Sequence, residues 1–321
     1  MKKLIDVFNG DADGLCALMQ WRRVYPAEAQ LLSGVKRDNA LLRRVPSGVD
    51  VELLVLDINF ENNRADAARL LADGAHIRYF DHHYPGERIE HPALALTVDE
   101  SPEMCTSLLV HRALDGREVT WAIAGAFGDN LPAVATRLAL QHGFDDGQTS
   151  VLRQLGELLN YNGYGSDLAD LHFDPEVLYR ALRDYGEPFA FVADADAYAH
   201  LQAGYADDMA AALAVKPAQQ GEATAIYHLP DLPWSRRVIG VWANLLSQQA
   251  RERAHLIFCP DGSGKYTASV RAPQLRPSGA AEFCRQFPGG GGRAAAGGIT
   301  GLSEASIDAV SASFQQWFAV N

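Results

Sequence analysis

Asp11 and Asp13 stand two residues apart in a turn that ends on Gly14. Asp57 follows the apolar run Leu53-Leu54-Val55-Leu56, Asp81-His82-His83 follows the strand-like segment His76 to Phe80, and Asp129 comes after the apolar segment 121–126. Carboxylates with some imidazole are the ligands that suit manganese or magnesium. Two such ions a few ångströms apart supply what hydrolysis of a phosphate ester requires, a nucleophilic hydroxide near neutral pH and neutralisation of charge on the phosphoryl oxygens. Asp11 and Asp13 could offer one carboxylate to each ion. Singly, each segment has an ordinary explanation. Asp-x-Asp-Gly is found in calcium loops and plain turns, a lone Asp after a strand can cap a helix, and paired histidines can form a solvated turn. Their recurrence, in order, at predicted strand ends within the first 130 residues points to one metal centre.

Such a centre needs a scaffold that brings the strand ends together. The spacing predicts a strand over Leu4 to Phe8, a turn, and a helix over Leu15 to Val24. The pattern repeats as a strand over Val51 to Leu56, a helix over Asn62 to Ala72 and a strand over His76 to Phe80. Alternation of this kind gives an α/β fold, a mostly parallel sheet flanked by helices, whose ligands sit beyond the carboxyl ends of the strands. Residues 151–215 read as mainly helical, interrupted by the turn-rich 160–165. Lys216 to Gly221, with Pro217, reads as a linker. The expected division is therefore a catalytic domain over 1–215 and a smaller α/β domain over 216–321, with the active-site cleft between them. In the second domain, strands are predicted over Ala225 to His228, Leu256 to Cys259 and Tyr266 to Val270. Helices are predicted over Arg237 to Arg253 and Gly279 to Phe287, with a hairpin turn over 261–264.

Composition narrows the function classes. A chain of 321 residues exceeds what one hydrophobic core usually serves. A formal charge of -12 excludes broad binding to duplex DNA or to an anionic membrane, so a polyanionic substrate must be held locally, by metal ions and a few arginines. Cys16, Cys105, Cys259 and Cys284 lie too far apart for a structural zinc site and read as reduced, buried small residues. The opening Met1-Lys2-Lys3 meets Asp6 before any leader-like apolar stretch, and no apolar run reaches 18 residues. The expectation is a cytoplasmic protein without a membrane span.

The four acidic segments resemble the motifs of the DHH phosphoesterase family, named for the triplet present here as Asp81-His82-His83. The run 11–14 resembles the first motif, Asp57 the second and Gly128-Asp129 the fourth. Ser269-Val270-Arg271 and the stretch 287–298, with its four consecutive glycines and Arg293, are similar to elements of the DHH-associated C-terminal domain. The family includes RecJ exonucleases, nano-RNases, cyclic dinucleotide phosphodiesterases, exopolyphosphatases and family II pyrophosphatases. The resemblance implies two Mn2+ ions, with Mg2+ as the alternative. Asp57 would bridge them, Asp11 would favour one, and Asp13, His82 and Asp129 the other. It also implies that His83 hydrogen-bonds a non-bridging phosphoryl oxygen while Asp81 orients a histidine ring. Arg271, Gly290, Gly291, Gly292 and Arg293 would bind the substrate, the glycines by letting backbone N–H groups approach a phosphate or base. Asn9 and Asn130 are further candidates.

Two departures stand out. Val7 and Asn9 occupy positions where many relatives place a His or Asp, which predicts weak binding of the first ion. Arg293 replaces a His, keeping charge but losing proton transfer near neutrality. Lys36, Arg37, Arg43 and Arg44 form a local basic cluster, read equally as a guide for a nucleic-acid strand or as a solvated helix face. Trp121, Trp234, Trp242 and Trp317 are assigned to packing, Asp194 and Asp196 to helix ends or turns, and Asp207 and Asp208 to the surface. The leading function is a metal-dependent phosphodiesterase or exonuclease that cuts short single-stranded oligonucleotides to nucleoside monophosphates. The alternatives are turnover of phosphoadenosine phosphate, linear or cyclic dinucleotides or polyphosphate, and, in another class, an inactive nucleotide-binding sensor. The expected partner is the nucleotide or short strand itself, and a homodimer is left open.

Overall fold

The computed structural model describes residues 3–47 and 51–320. Met1 and Lys2, read above for a leader, lie outside them. The chain divides into two compact units, Met1–Ala203 and Gly204–Asn321.

The first unit holds the strands β1 (Lys3–Phe8), β2 (Gln30–Leu32), β3 (Val51–Leu56), β4 (His76–Asp81) and β5 (Leu94–Val98). They form one sheet in the order β2-β1-β3-β4-β5, and every pairing is parallel. Strands β1 and β3 are near-continuous apolar runs because helices cover both faces of the sheet. Its helices are α1 (Ala12–Val24), α2 (Phe60–Ala72), α3 (Thr106–Ala113), α4 (Val119–Gly128), α5 (Pro132–Gln141), α6 (Asp146–Asn162), α7 (Pro175–Tyr185) and α8 (Pro188–Asp194). A ninth, α9 (Asp196–Ala214), carries the chain across the division between the units. Phe60, Leu70 and Leu71 of α2 pack with Val51, Leu53, Val55 and Tyr79 in one core. A second core joins Ile123, Ala126 and Phe127 of α4 to Leu152 of α6.

One predicted element changes type. The segment before Asp129 is helix α4 and not a strand, so Asp129 caps a helix C-terminus. Residues 121–128 are buried all round, and a short run with no polar face carries no periodicity by which to tell strand from helix. Asp194 ends α8 and Asp196 opens α9, as the helix-end reading expected. The four cysteines are buried, and Trp121 and Trp242 lie fully within the packing.

The second unit contains β6 (Gln219–Gln220), β7 (Thr224–His228), α10 (Pro233–Gln249), β8 (Ala254–Pro260), β9 (Tyr266–Arg271), α11 (Ala280–Cys284), β10 (Gly290–Arg293), β11 (Ala296–Leu302) and α12 (Ile307–Val320). The sheet runs β10-β11-β9-β8-β7-β6, antiparallel except between β7 and β8. The turn after β8 is the expected hairpin, closed by a hydrogen bond from Asp261 N to Lys265 O of 2.9 Å. Phe258, Val270, Phe283 and Phe314 lie in its core. Among the described residues no helix is long and apolar enough to cross a membrane.

Asp208 corrects the surface assignment. It is buried and accepts from Arg237 Nε at 2.7 Å and Nη2 at 3.0 Å. The Ala-rich helix around it has no clear polar face, and its partner is 29 residues away, so local sequence gave no sign of the pair. Removing one member of a buried, hydrogen-bonded ion pair leaves the other charge desolvated, at a loss of about 3 kcal/mol. Asp208→Ala should lose about that much in urea unfolding, and the double change with Arg237→Met should recover most of it.

His255 on β8 gives a pH dependence. It is 1% exposed, and burial pushes its pKa down to about 4 against the pull of the Ala250 backbone. The unfolded chain takes up this proton near 6.5 while the folded one resists until about 4. Stability is therefore full above pH 6.5 and falls as pH drops towards 4, by roughly 2–3 kcal/mol. Thermal unfolding across that range should show the loss, and His255→Leu should remove it.

Candidate metal centre

The centre is built on the carboxyl ends of β1, β3 and β4, with α1, α3 and α4 converging on the same place. Asp11 is the N-cap of α1, and its Oδ1 accepts from Asp13 N at 3.1 Å and Gly14 N at 3.2 Å. In the first turn of α1, Asp13 faces the N-terminus of α3 and accepts from Thr106 N and Ser107 N, each at 2.7 Å. Both of its oxygens are thereby fixed, and the positive end of α3 favours its charge. Asp57 ends β3 in a left-handed conformation, φ 59°, held by its N–H to Phe80 O at 3.0 Å. Thr106 Oγ1 donates to Asp57 Oδ1 at 3.1 Å.

Helix α4 delivers Asp129 through a close approach that only glycine allows. A Cβ on Gly128 would lie 2.2 Å from the Ala12 Cβ and 2.8 Å from the Gly156 carbonyl oxygen. This contact seats the end of α4 against the start of α1, next to Asp13. Asn130 follows, exposed and left-handed at φ 60°.

His82 lies among the acids. Its Nε2 is 3.5 Å from Asp57 Oδ1, 3.7 Å from Asp129 Oδ2 and 4.0 Å from Asp13 Oδ2. Asp81 plays the orienting part: buried beneath the triplet, it accepts from His83 Nδ1 at 2.7 Å and from Phe60 N at 3.1 Å. That leaves the Nε2 of His83 clear of Asp81, on a side chain that is 43% exposed. Ligand atoms of Asp13, His82 and Asp129 come within 4.8 Å of one another, as do those of Asp57, His82 and His83.

Burial and mutual repulsion among these acids favour positive charge in the pocket. Burial raises the Asp57 carboxyl well above its ordinary value, and Asp13 and Asp11 push it further, against the pull of His82. Burial and Asp13 raise Asp129 to about 7 despite Lys36 and His82. Burial works against a charged His82, yet Asp57, Asp13 and Asp129 together raise its pKa to about 10. Without a metal, the imidazole and the carboxylates hold protons where a divalent ion would neutralise the same charge. Asp13, His82 and Asp129, and Asp57 with His82 and His83, are sets whose donors suit a hard divalent cation.

The Asp11 side is different. Asp11 Oδ2 receives the ammonium of Lys36, which also donates to Asn160 Oδ1 at 2.8 Å and lies 5.5 Å from the centroid of the Tyr164 ring. Burial opposes charge on both partners, but their attraction wins: Asp11 titrates below and Lys36 above its ordinary value. Buried Asn9 donates to the Lys36 carbonyl at 3.3 Å, and its Oδ1 has no partner. Sequence reasoning had placed Lys36 in a basic cluster and had passed over Thr106, Ser107 and Asn160. The available signal was the Thr106-Ser107 pair opening an apolar helix, a favoured place for groups that bind a carboxylate.

In the second unit, Arg271 bonds to Asn244 Oδ1 at 2.8 Å and Ser269 Oγ at 3.1 Å, and lines a hollow of about 350 Å³ with Gln274 and Ala296. The register sets Arg293, Ala296 and Arg271 in one row across the sheet. Gly290, Gly291 and Gly292 lie along β10, outside that lining.

No family model matches the chain, and no curated protein matches it. Solved structures do. RecJ from Thermus thermophilus, in complex with Mn2+, has a TM-score of 0.60 at 18% identity, over 100% of this chain and 52% of that one. This chain thus spans about half the length of that RecJ. A second exonuclease RecJ, bound to manganese, has a TM-score of 0.55 at 20% identity, over 99% and 90%. The pGpG-specific phosphodiesterase PggH from Vibrio cholerae has a TM-score of 0.57 at 16% identity, over 99% of each chain. The chain, a five-stranded parallel sheet followed by a mixed sheet, has the same overall fold as these RecJ and PggH structures.

Proposed function

We propose that this chain is a metal-dependent phosphodiesterase that hydrolyses short single-stranded oligonucleotides to nucleoside monophosphates, with Mn2+ or Mg2+ as the ion. The observation that carries this reading is His82 Nε2 within 4.0 Å of carboxylate oxygens from Asp13, Asp57 and Asp129. A buried set of acids in this number destabilises the fold unless a cation joins it. Asp13, Asp57, His82 and Asp129 would hold the ion, which when bound supplies Lewis acidity towards the phosphate and an acidified water.

The remaining work falls to the chain itself. Asp81 fixes the ring of His83, so that its Nε2, when protonated, donates to a non-bridging phosphoryl oxygen and stabilises charge as the bond breaks. Thr106 keeps the Asp57 carboxylate aimed by its hydroxyl hydrogen bond. Arg271, Arg293 and the backbone of Gly290, Gly291 and Gly292 are proposed to hold the substrate's phosphate or base through charge-assisted and N–H hydrogen bonds.

A net charge of -12 supports a short substrate over a long strand held in a basic groove. A linear dinucleotide is the second reading, favoured by the match to PggH across 99% of both chains. The deciding experiment incubates the chain with Mn2+ and a panel: RNA and DNA oligomers of graded length, linear and cyclic dinucleotides, phosphoadenosine phosphate and polyphosphate. Release of mononucleotides from the shortest oligomers is expected. Turnover of polyphosphate or phosphoadenosine phosphate alone would overturn the leading substrate, and tight nucleotide binding with no hydrolysis would establish a sensor instead.

A further inference from the structure

Resemblance to the DHH phosphoesterases implies two ions, yet the position nearest Asp11 already holds a cation of the protein's own. Asp11 is 2% exposed; its Oδ1 accepts from the N–H groups of Asp13 and Gly14, and its Oδ2 faces the Lys36 ammonium, a full positive charge that none of the other acids of the centre holds so directly. Lys36 is held from several directions. Its backbone N–H donates to Gly163 O at 2.9 Å, its carbonyl takes the Asn9 amide at 3.3 Å, and its ammonium reaches Asn160 Oδ1 at 2.8 Å beside the face of Tyr164. Gly163 packs so closely on this corner that a Cβ there would meet the Asp11 Cα at 3.0 Å. Neither group whose ligand atoms cluster includes Asp11. Val7 and Asn9 stand where the resemblance looks for an ionisable ligand, and Asn9 directs its amide to the Lys36 loop. A divalent ion on Asp11 would have to displace the ammonium or sit beside it at a few ångströms, with strong mutual repulsion.

We propose that the ammonium of Lys36 takes the place of one divalent cation, so that the centre binds a single ion on Asp13, Asp57, His82 and Asp129. This rests on the hydrolase reading for the existence of the centre, and it changes the kind of centre: one exchangeable ion and one covalently tethered charge. A lysine is a compact point charge suited to phosphate. With its side chain 25% exposed, Lys36 remains open to a phosphoryl oxygen on its outer side.

The test counts ions. Metal-free full-length chain is titrated with Mn2+ by calorimetry, and the loaded protein is examined by electron paramagnetic resonance. One ion per chain is expected, with the hyperfine pattern of an isolated Mn2+. Two ions with an exchange-coupled spectrum would overturn the proposal and leave the hydrolase reading standing, with Asn9 Oδ1 then the natural added ligand. No bound ion would overturn both. Lys36→Met should admit a second ion and an exchange-coupled spectrum, and a folded variant that still binds only one would show that the lysine does not exclude it. If Lys36→Met fails to fold by circular dichroism, Lys36→Arg keeps the charge and should hold the count at one. A second ion in that variant would equally overturn the idea.

Discussion

Asp57→Asn is expected to lower phosphodiester hydrolysis by at least about 10³-fold, some 4 kcal/mol of transition-state stabilisation, while making the metal-free protein more stable. The two effects have one cause. Asp57 is 2% exposed, and Asp13 and Asp11 already oppose its charge, so its carboxylate is tolerated for what it binds and not for what it adds to the fold. Asparagine suits the position well. It keeps an acceptor for Thr106 Oγ1, and it is the residue after glycine that best accepts the left-handed backbone found there. Removing the charge should therefore stabilise the metal-free chain by about 1–2 kcal/mol, or about 2–8 °C in melting temperature for a domain of this size. Added Mn2+ should raise the melting temperature of the parent more than that of the variant. Melting curves with chelator and with Mn2+, beside turnover of a short oligonucleotide, measure both. A variant that kept a tenth of the activity would remove Asp57 from the centre, and one that melted earlier without metal would show the carboxylate to be structural.

How much of this could be read from the chain follows from which signals are local. The strands before Asp11 and Asp57 were legible because a doubly covered parallel strand is a short, almost unbroken apolar run. Strand β2 is three residues long and sits at the edge of the sheet, so Gln30 to Leu32 carried no pattern to find. Strands β10 and β11 were hidden for another reason: Gly291 and Gly292 pair with Gly298 and Gly297 without side chains to show alternation. The position of Asp129 was anticipated although its element was not, because a helix end and a strand end can both present a carboxylate to the same corner. Lys36 was the largest omission. Along the chain its neighbours are Arg37, Arg43 and Arg44, which suggest a basic face, but Arg43 pairs with Asp38 and Arg44 bonds the Ser33 carbonyl. The partners of Lys36 are 25 and 124 residues away, Asp11 and Asn160, and only the fold joins them.

Affinity for Mn2+ should rise steeply with pH, by on the order of 10³-fold between about pH 6 and 8, because the ion must displace protons from its own ligands. His82 holds its proton up to about 10 and Asp129 up to about 7 in the metal-free chain, and a divalent ion needs a neutral imidazole and an ionised carboxylate. Below a group's pKa each displaced proton changes the apparent affinity about tenfold per pH unit. Both groups contribute below about 7, and above it only His82 does. The metal-free fold shows the reverse slope. Stability from the raised His82 is full below 6.5 and is lost as pH climbs through about 10, and that from Asp129 is full below 3.8 and lost through about 7. Alkaline conditions thus weaken the empty centre and strengthen the filled one, so the melting-temperature gain on adding Mn2+ should grow with pH. Calorimetry at pH 7 in two buffers of different ionisation enthalpy should report release of more than one proton per ion bound. A dissociation constant that stayed level from pH 6 to 8 would place the ion elsewhere, away from His82 and Asp129.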